Sequence, residues 1–506
     1  MISRRTALTG LLVGGIGLAA AVVLVSRDAR RWVFGLTGFS DDHKPLAIPE
    51  SMTGEVRDGV RTYDLGLQKG LSRFFDGVET RTLGINGTYL GPTLRMRAGE
   101  AVQMNVTNRI GESSTLHWHG FHLPARADGG PHQVIRDGET WSPRFTVKQR
   151  ASMFWYHSHM VPRTGPQVYH GLAGLIYVDD DESARLDLPS DYGVDDIPLA
   201  LQDRAFDNDG SLIYSTSMPS VMMGMRGNVL LVNGTVRPYF EARTDKLRLR
   251  LLNGSNARFH TVGFADRRTF HQIGTDGGLL ERPYETSRIT LAPGERAQIV
   301  VDLDDGRPAL LRTFATPNAG MMGSGGMMGQ MMERMMGDDL TFDVLDIRPD
   351  AQRVKSAPLP DRLVSLDRPD PSRAVGTRRF VLQMGMGGMM MGGGSFTING
   401  KAMDMNRVDE AVRVGTTEIW QIENASMMPH PFHIHDVQFR ILDRNGAPPE
   451  PGAMGLKDTV VVAPNERVRL LLSFADYTDS DSPYMYHCHI LEHEDAGMMG
   501  QFVVKA

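Results

Sequence analysis

Four short runs of this chain carry two histidines separated by one residue: His117/His119 in LHWHG, His157/His159 in WYHSH, His433/His435 in HPFHIH and His487/His489 in YHCHI. On an extended strand residues i and i+2 project from the same face, so each run offers two imidazoles side by side. Imidazole is a ligand for zinc, copper, iron and nickel. Eight of the chain's 16 histidines lie in these pairs, which solvated surface histidines do not explain and a metal cluster does.

Cys488, the one cysteine among 506 residues, stands between His487 and His489. A lone cysteine is ordinarily a small buried side chain. Period-two geometry gives this one another role: with both neighbours facing one way, its sulfur faces the other. His430, His493 and Met498 are its candidate partners. Two imidazoles, a thiolate and a weak axial thioether form a blue-copper electron-transfer site. Cys488 then bridges two metal sites through its own main chain.

The elements that must hold these residues are strands. Beyond residue 45 the chain reads as short β-branched and aromatic runs broken by Gly, Pro, Asn and Asp, such as TLRMRAGEAVQMNVTN and RVRLLLSF, which predicts an all-β fold. Segments starting at Ile85, Val232 and Ile398 share an [IV]-N-G opening, an alternating strand pair and a closing Asn, and TLAPGERAQIVVDL (Thr290 to Leu303) is echoed by VVAPNERVRLLLSF (Val461 to Phe474). One domain type used three times is expected, over 45–182, 195–350 and 360–506, with polar, Pro-bearing linkers. The paired histidines fall in the first and third units. The middle unit, whose His260 and His271 read as structural, is expected to be a spacer without metal.

Size and composition agree with this reading. A chain of 506 residues holds about three domains, and 41% hydrophobic with 23% charged residues is a globular composition. A net charge of −6 and a pI near 6.2, with no block of Lys or Arg, argue against nucleic acid as a partner. At the N-terminus Ser3-Arg4-Arg5 precedes an uncharged stretch from Thr6 to Ser26. This resembles a twin-arginine export signal, with Ala7 where such signals carry Phe. The stretch is also near the lower length limit for spanning a bilayer, and no A-x-A site follows, so an uncleaved anchor is the alternative. Residues 1–44 are read as signal or anchor and leader, and the body as exported to the periplasm or the outer face of the membrane.

With HPFHIH and HCHILEHEDAGMM in place, the chain from about residue 45 to its end resembles the multicopper oxidases, and within them the bacterial cuprous oxidases. The resemblance implies three cupredoxin-like Greek-key β-sandwich domains and four copper ions. It assigns His430, Cys488, His493 and Met498 to a type 1 copper, and His117 and His433 to a type 2 copper. A type 3 pair would take His119, His157 and His489 on one ion and His159, His435 and His487 on the other. Electrons would pass from the type 1 site through Cys488 to the cluster, where O₂ is reduced to water. Asp128 and Glu494 match positions the family uses for proton delivery and join Cys488 as candidate catalytic residues; the alternative is a loop carboxylate satisfied by main-chain amides.

Methionine bears on the substrate. Asn318–Asp339 and Gln383–Gly394 hold thirteen of the 31 methionines, interleaved with Gly. A Gly-rich segment offers no core, and exposed thioethers are soft donors for Cu(I); a flexible low-complexity insert is the alternative. The second segment sits where the cuprous oxidases carry a Met-rich insert. Met384 and Met428 match family thioether positions for substrate Cu(I), whereas Ser426 and Met389 stand where a well-known member has Asp. The expected activity is oxidation of Cu(I) to Cu(II) with O₂ as acceptor, with phenols as further donors, by a monomer. A laccase-like phenol oxidase is the nearest rival. A copper nitrite reductase fits less well, because His flanks the Cys on both sides. A Met-rich copper buffer or a copper-free cell-division relative would be non-catalytic, and the latter should lack the ligands that this chain retains.

Overall fold

The three [IV]-N-G turns are three copies of one device. In the computed structural model, which describes residues 43–315, 340–385 and 396–506, Asn86, Asn233 and Asn399 have φ of 55°, 51° and 54°. Asn tolerates this left-handed conformation better than most side chains. Each Asn then ties its turn to a neighbouring strand. Its Oδ1 accepts from the N–H of Gly66, Ala200 or Val381, and its Nδ2 donates to the carbonyl of Asp64, Pro198 or Arg379. The closing asparagines repeat as faithfully. Asn108, Asn253 and Asn424 each accept from the N–H two residues on and donate to the carbonyls of Ile135, Leu291 and Val462. Such side-chain turns fix where a strand starts and stops, and hence its register.

Among the described residues six sheets result, two for each repeat. Every repeat contains the same parallel pair: Val60–Ser72 with Ala101–Arg109, Asp196–Arg204 with Lys246–Asn253, and Thr377–Met384 with Thr416–Asn424. The inward residues of each pair of sheets meet in a core of their own, around Tyr63 and Trp118, Leu249 and Val262, and Trp420 and Phe432. Three β-sandwiches follow. Lys44–Pro45 pair with Pro238 and Tyr239 and so belong to the second unit's sheet, although the sequence boundary sets residue 45 at the start of the first. Of the signal or anchor and leader read over residues 1–44, all but the last two residues lie outside the described residues, as do Met389, the whole of the Met-rich segment 318–339 and residues 386–394 of the second. Among the described residues no helix is long and apolar enough to cross a membrane.

The histidine-bearing strands are antiparallel neighbours. His117–His119 pairs with Ser152–His157, placing His157 opposite His117, and His430–Ile434 pairs with Asp479–Cys488, placing His433 opposite His487 and Phe432 opposite Cys488. The second histidine of three pairs, His159, His435 and His489, lies just past its strand's end. The rings of each pair nevertheless stay 5.0 to 6.1 Å apart. His493 sits on a short helix, Leu491–Asp495, which the strand reading does not anticipate.

Candidate metal centre

Cys488 is fully buried, and its sulfur lies 3.3 Å from His430 Nδ1 and 3.6 Å from His493 Nδ1. The far nitrogen of each ring is occupied. His430 Nε2 is 2.7 Å from Ser426 Oγ, whose own hydrogen is directed to Asn424 Oδ1 or the Met428 carbonyl. His493 Nε2 donates to the Met222 carbonyl at 3.1 Å. Both rings are thereby held in the tautomer that turns an unprotonated Nδ1 toward the sulfur. Burial pushes the Cys488 thiol pKa up and both imidazole pKa values down, His493 to about 3. A thiolate here therefore requires a cation beside it. Met498 is buried in the same core, and its N–H and carbonyl bond to the main chain of His493 and Cys488.

The eight paired imidazoles converge between the first and third units, and all are at most 1% exposed. The ligand atoms of His119, His157 and His489 lie within 4.8 Å of one another, as do those of His159, His435 and His487, and those of His117, His119 and His433. The second trio is especially telling. His435 Nδ1 is 2.7 Å from Asp128 Oδ2 and His487 Nδ1 bonds to the Cys488 carbonyl, so each ring keeps its lone pair on Nε2. Those two Nε2 atoms stand 3.2 Å apart. Two acceptors facing each other repel unless a cation lies near them. In the first trio His157 Nδ1 bonds to the Ser158 carbonyl, His119 Nε2 lies 3.0 Å from Asp458 Oδ1, and the remaining nitrogens face each other at 3.4 Å.

His117 and His433 repeat the logic. Their Nδ1 atoms bond to the carbonyls of Asp128 and Asp458, both at 2.8 Å, and their Nε2 atoms are buried with no partner among the described residues. An unpartnered buried polar atom costs about 1–3 kcal/mol. Burial and the neighbouring imidazoles hold these rings neutral by lowering their pKa values. Neutral imidazoles with lone pairs aimed at one another, each oriented from behind by a carbonyl or carboxylate, match the donor set of bound copper ions.

Besides Asp458, the carboxylates of Asp128 and Glu494 line this chamber. Asp128 is 1% exposed with Oδ1 unpartnered, and Glu494 is fully buried with its two oxygens 3.2 Å from His159 Nδ1 and His487 Nδ1. Burial raises the pKa of both. The methionines expected at a substrate site divide: Met428 is buried in the third core and offers no sulfur to the surface, Met384 is half-buried against that core, and Met427 is 56% exposed.

Sequence reasoning missed Asp458 and Arg296. Arg296 grips Asp458 with Nη1 to Oδ1 at 2.8 Å and Nη2 to Oδ2 at 2.6 Å. It comes from the middle unit, which also supplies the Met222 carbonyl and Asn256, a partner of Glu492. The middle unit is thus part of the site's walls and not a spacer, although it contributes no ligand group of its own among the described residues. His260 is the repeat's counterpart of His430: its Nε2 bonds to Ser255 Oγ at 3.0 Å, and it pairs with Leu291 as His430 pairs with Val462. Arg258 and Asp203 form a buried ion pair nearby.

Comparison with known proteins agrees with this chemistry. Two family models described as multicopper oxidase match residues 67–183 and 377–506. The chain is 36% identical over 452 residues to the multicopper oxidase mco of Staphylococcus aureus, covering 88% of this chain and 89% of that one. It is 37% identical over 462 residues to the cell division protein FtsP of Photorhabdus laumondii, covering 91% and 93%. A structure of the laccase-like multicopper oxidase CueO from Ochrobactrum sp. superposes with a TM-score of 0.81 at 38% identity, covering 91% of this chain and all of that one. The converging imidazoles and the buried thiol fit copper. The chain therefore belongs to the multicopper oxidase family, three cupredoxin-like domains forming an oxidoreductase that uses copper, O₂ and a reducing substrate.

Proposed function

We propose that this chain is an exported cuprous oxidase that holds four copper ions and serves copper detoxification, with phenols as secondary donors. The observation that carries the copper assignment is Cys488: its sulfur meets His430 and His493 while His487 and His489, one residue to either side, face the imidazole trios. His430, Cys488, His493 and Met498 would hold a type 1 ion and His117 with His433 a type 2 ion. The trios of His119, His157 and His489 and of His159, His435 and His487 would hold a type 3 pair. Copper in these places supplies one-electron exchange with the donor and the four-electron reduction of O₂ to two waters.

The chain's own contribution is wiring and protons. One peptide unit on each side links the Cys488 sulfur to the His487 and His489 rings, the shortest covalent route between the two regions. Asp128, through Oδ1, and Glu494, through either oxygen, hold protons where the reduction of O₂ consumes them. The choice of Cu(I) as donor is supported by the Gly-interleaved methionines of residues 318–339 and 383–394 and by the exposed Met427. The phenol reading is supported by the Ochrobactrum relative, described as acting on lignin model compounds and lignosulfonate. Export is supported by Arg4-Arg5 and the uncharged run that follows.

Copper counting with a visible spectrum tests the site: four ions per chain and an intense thiolate-to-copper band are expected. Oxygen uptake with Cu(I) and with a phenol, before and after excision of residues 386–395, tests the donor. The excision spares Met384, which ends a core strand, and should slow Cu(I) oxidation while sparing or raising phenol oxidation. Unchanged Cu(I) kinetics would refute the substrate role, and copper binding without oxygen uptake would mark a buffer. Fractionation of an expressing bacterium, with and without Arg4-Arg5→Lys-Lys, tests export.

A further inference from the structure

We propose that Arg296, supplied by the middle unit, is a positioning residue for one ion of the copper pair, the one assigned to His119, His157 and His489. This rests on the copper assignment above.

The repeat shows what is special about this arginine. In all three units the same turn is capped by the same glutamate: Glu139 accepts from the Arg136 N–H, Glu295 from Ala292 and Glu466 from Ala463. The residue after that glutamate is Thr140 in the first unit and Arg467 in the third, and both are exposed. In the middle unit it is Arg296, 1% exposed, and it reaches Asp458, the partner of His119. The turn serves the fold in every copy; only in the middle copy is the residue after the glutamate buried.

Arg296 fixes both oxygens of Asp458, which is fully buried, with a fork that a single-point cation cannot reproduce. So fixed, Asp458 Oδ1 lies 3.0 Å from His119 Nε2. A ring that donates Nε2–H to this carboxylate presents its unprotonated Nδ1 to the site, where it faces His157 Nε2. Without the arginine the buried carboxylate keeps the bond from Thr459 Oγ1 to Oδ1 at 2.9 Å, but Oδ2 loses its guanidinium partner and the charge its compensation, so its hold on the tautomer and ring angle of His119 weakens. The same turn reaches a second member of the trio. At Gly294, with φ of +85°, a Cβ would lie 2.9 to 3.0 Å from the His489 ring. Lys457, bonded to Asp276 and Glu295, pins the turn in place. The other trio is backed instead by Asp128, Glu494 and the Cys488 carbonyl, from the first and third units. His433 is held by the main-chain carbonyl of Asp458, which replacing Arg296 leaves present.

The test uses copper-loaded full-length protein titrated with a copper chelator, counting copper per chain and recording visible and electron paramagnetic resonance spectra. Arg296→Leu and Arg296→Lys should release one ion at a chelator concentration about 10- to 100-fold lower than wild type. The thiolate band should persist, and a new resonance should grow as the remaining member of the magnetically coupled pair is left alone. Arg467→Leu, at the exposed equivalent position, should behave as wild type. Asp458→Asn, nearly isosteric, carries the same expectation if Arg296→Leu fails to fold. The inference is overturned if these variants keep all their copper to the wild-type chelator concentration, if the type 1 ion leaves first, or if only thermal stability changes. A wild-type chain that never holds four ions would instead refute the copper assignment.

Discussion

Ser426 Oγ accepts a hydrogen bond from His430 Nε2 at 2.7 Å, so a neutral hydroxyl backs the ring whose other nitrogen faces the Cys488 sulfur. A carboxylate at this position would strengthen the bond and add negative charge beside the metal, favouring the oxidised ion. Hydrogen bonds to charged groups exceed neutral ones by about 1 kcal/mol, which is about 40 mV for one electron. Ser426→Asp should therefore lower the type 1 reduction potential by roughly that amount in a redox titration of the thiolate band. A potential that rises, or stays within a few millivolts, would contradict this reading of the Ser426 contact.

Asp128 touches the cluster and not the Cys488 site: Oδ2 bonds to His435 Nδ1, the carbonyl to His117 Nδ1, and Oδ1 is open. Burial first, and then the nearby Asp436, raise its pKa, so the acid keeps its proton to a higher pH than an ordinary carboxyl and loses it as pH rises further. Asparagine keeps the shape and cannot release that proton. Asp128→Asn should slow oxygen reduction about 10²- to 10⁴-fold and flatten the alkaline fall in rate, with the blue absorption intact. Loss of colour in that variant would remove Asp128 from proton delivery.

Much of this was legible in the residues, for a physical reason. Alternation on a strand is a short-range rule, and it places Cys488 and His487 on opposite sides as observed. The Asn turns and the Glu-capped turn are equally local, which is why the repeat can be read. The Leu491–Asp495 helix is too short to be stable alone. It is held by tertiary contacts, Glu492 with Asn256 and Tyr214, and Asp495 with the N–H groups of Thr164 and Gly165, none of which is local. Asp458 and Arg296 meet across 162 positions. Their signals are faint: an acid inside the run LKDTVVV, and an arginine in the repeated turn. Only the folded chain turns either into a contact.

Asp196 and Arg250 form a buried pair in the middle unit, Arg250 Nε to Oδ1 at 2.7 Å, and the guanidinium lies 4.2 Å from the ring centre of Tyr177 in the first unit. Removing the acid strands a cation that is about 5% exposed. Breaking a buried pair from one side costs about 3–5 kcal/mol. Asp196→Ala should lower the calorimetric midpoint of the transition that contains the first two units by about 6–20 °C, with copper content per folded chain unchanged. Replacing both partners, Asp196→Leu with Arg250→Met, should recover much of the loss.

Gly294 gives an independent handle on the trio of His119, His157 and His489. Both ring nitrogens of His489 lack partners among the described residues, so packing alone sets the ring's direction. Gly294→Ala adds a Cβ against that ring and also places a side chain at positive φ, a backbone cost of about 1–2 kcal/mol. The two effects separate because the third unit carries Asn465 at the equivalent, exposed position with φ of 60°, showing that the backbone of this turn accepts asparagine. Gly294→Asn should therefore keep more of the stability than Gly294→Ala while still displacing His489. If contact governs the ion, both variants lose the coupled copper signal although their thermal midpoints differ by about 2–4 °C. If backbone strain governs it, the asparagine variant keeps the signal, and the ring's position must then be set from another side.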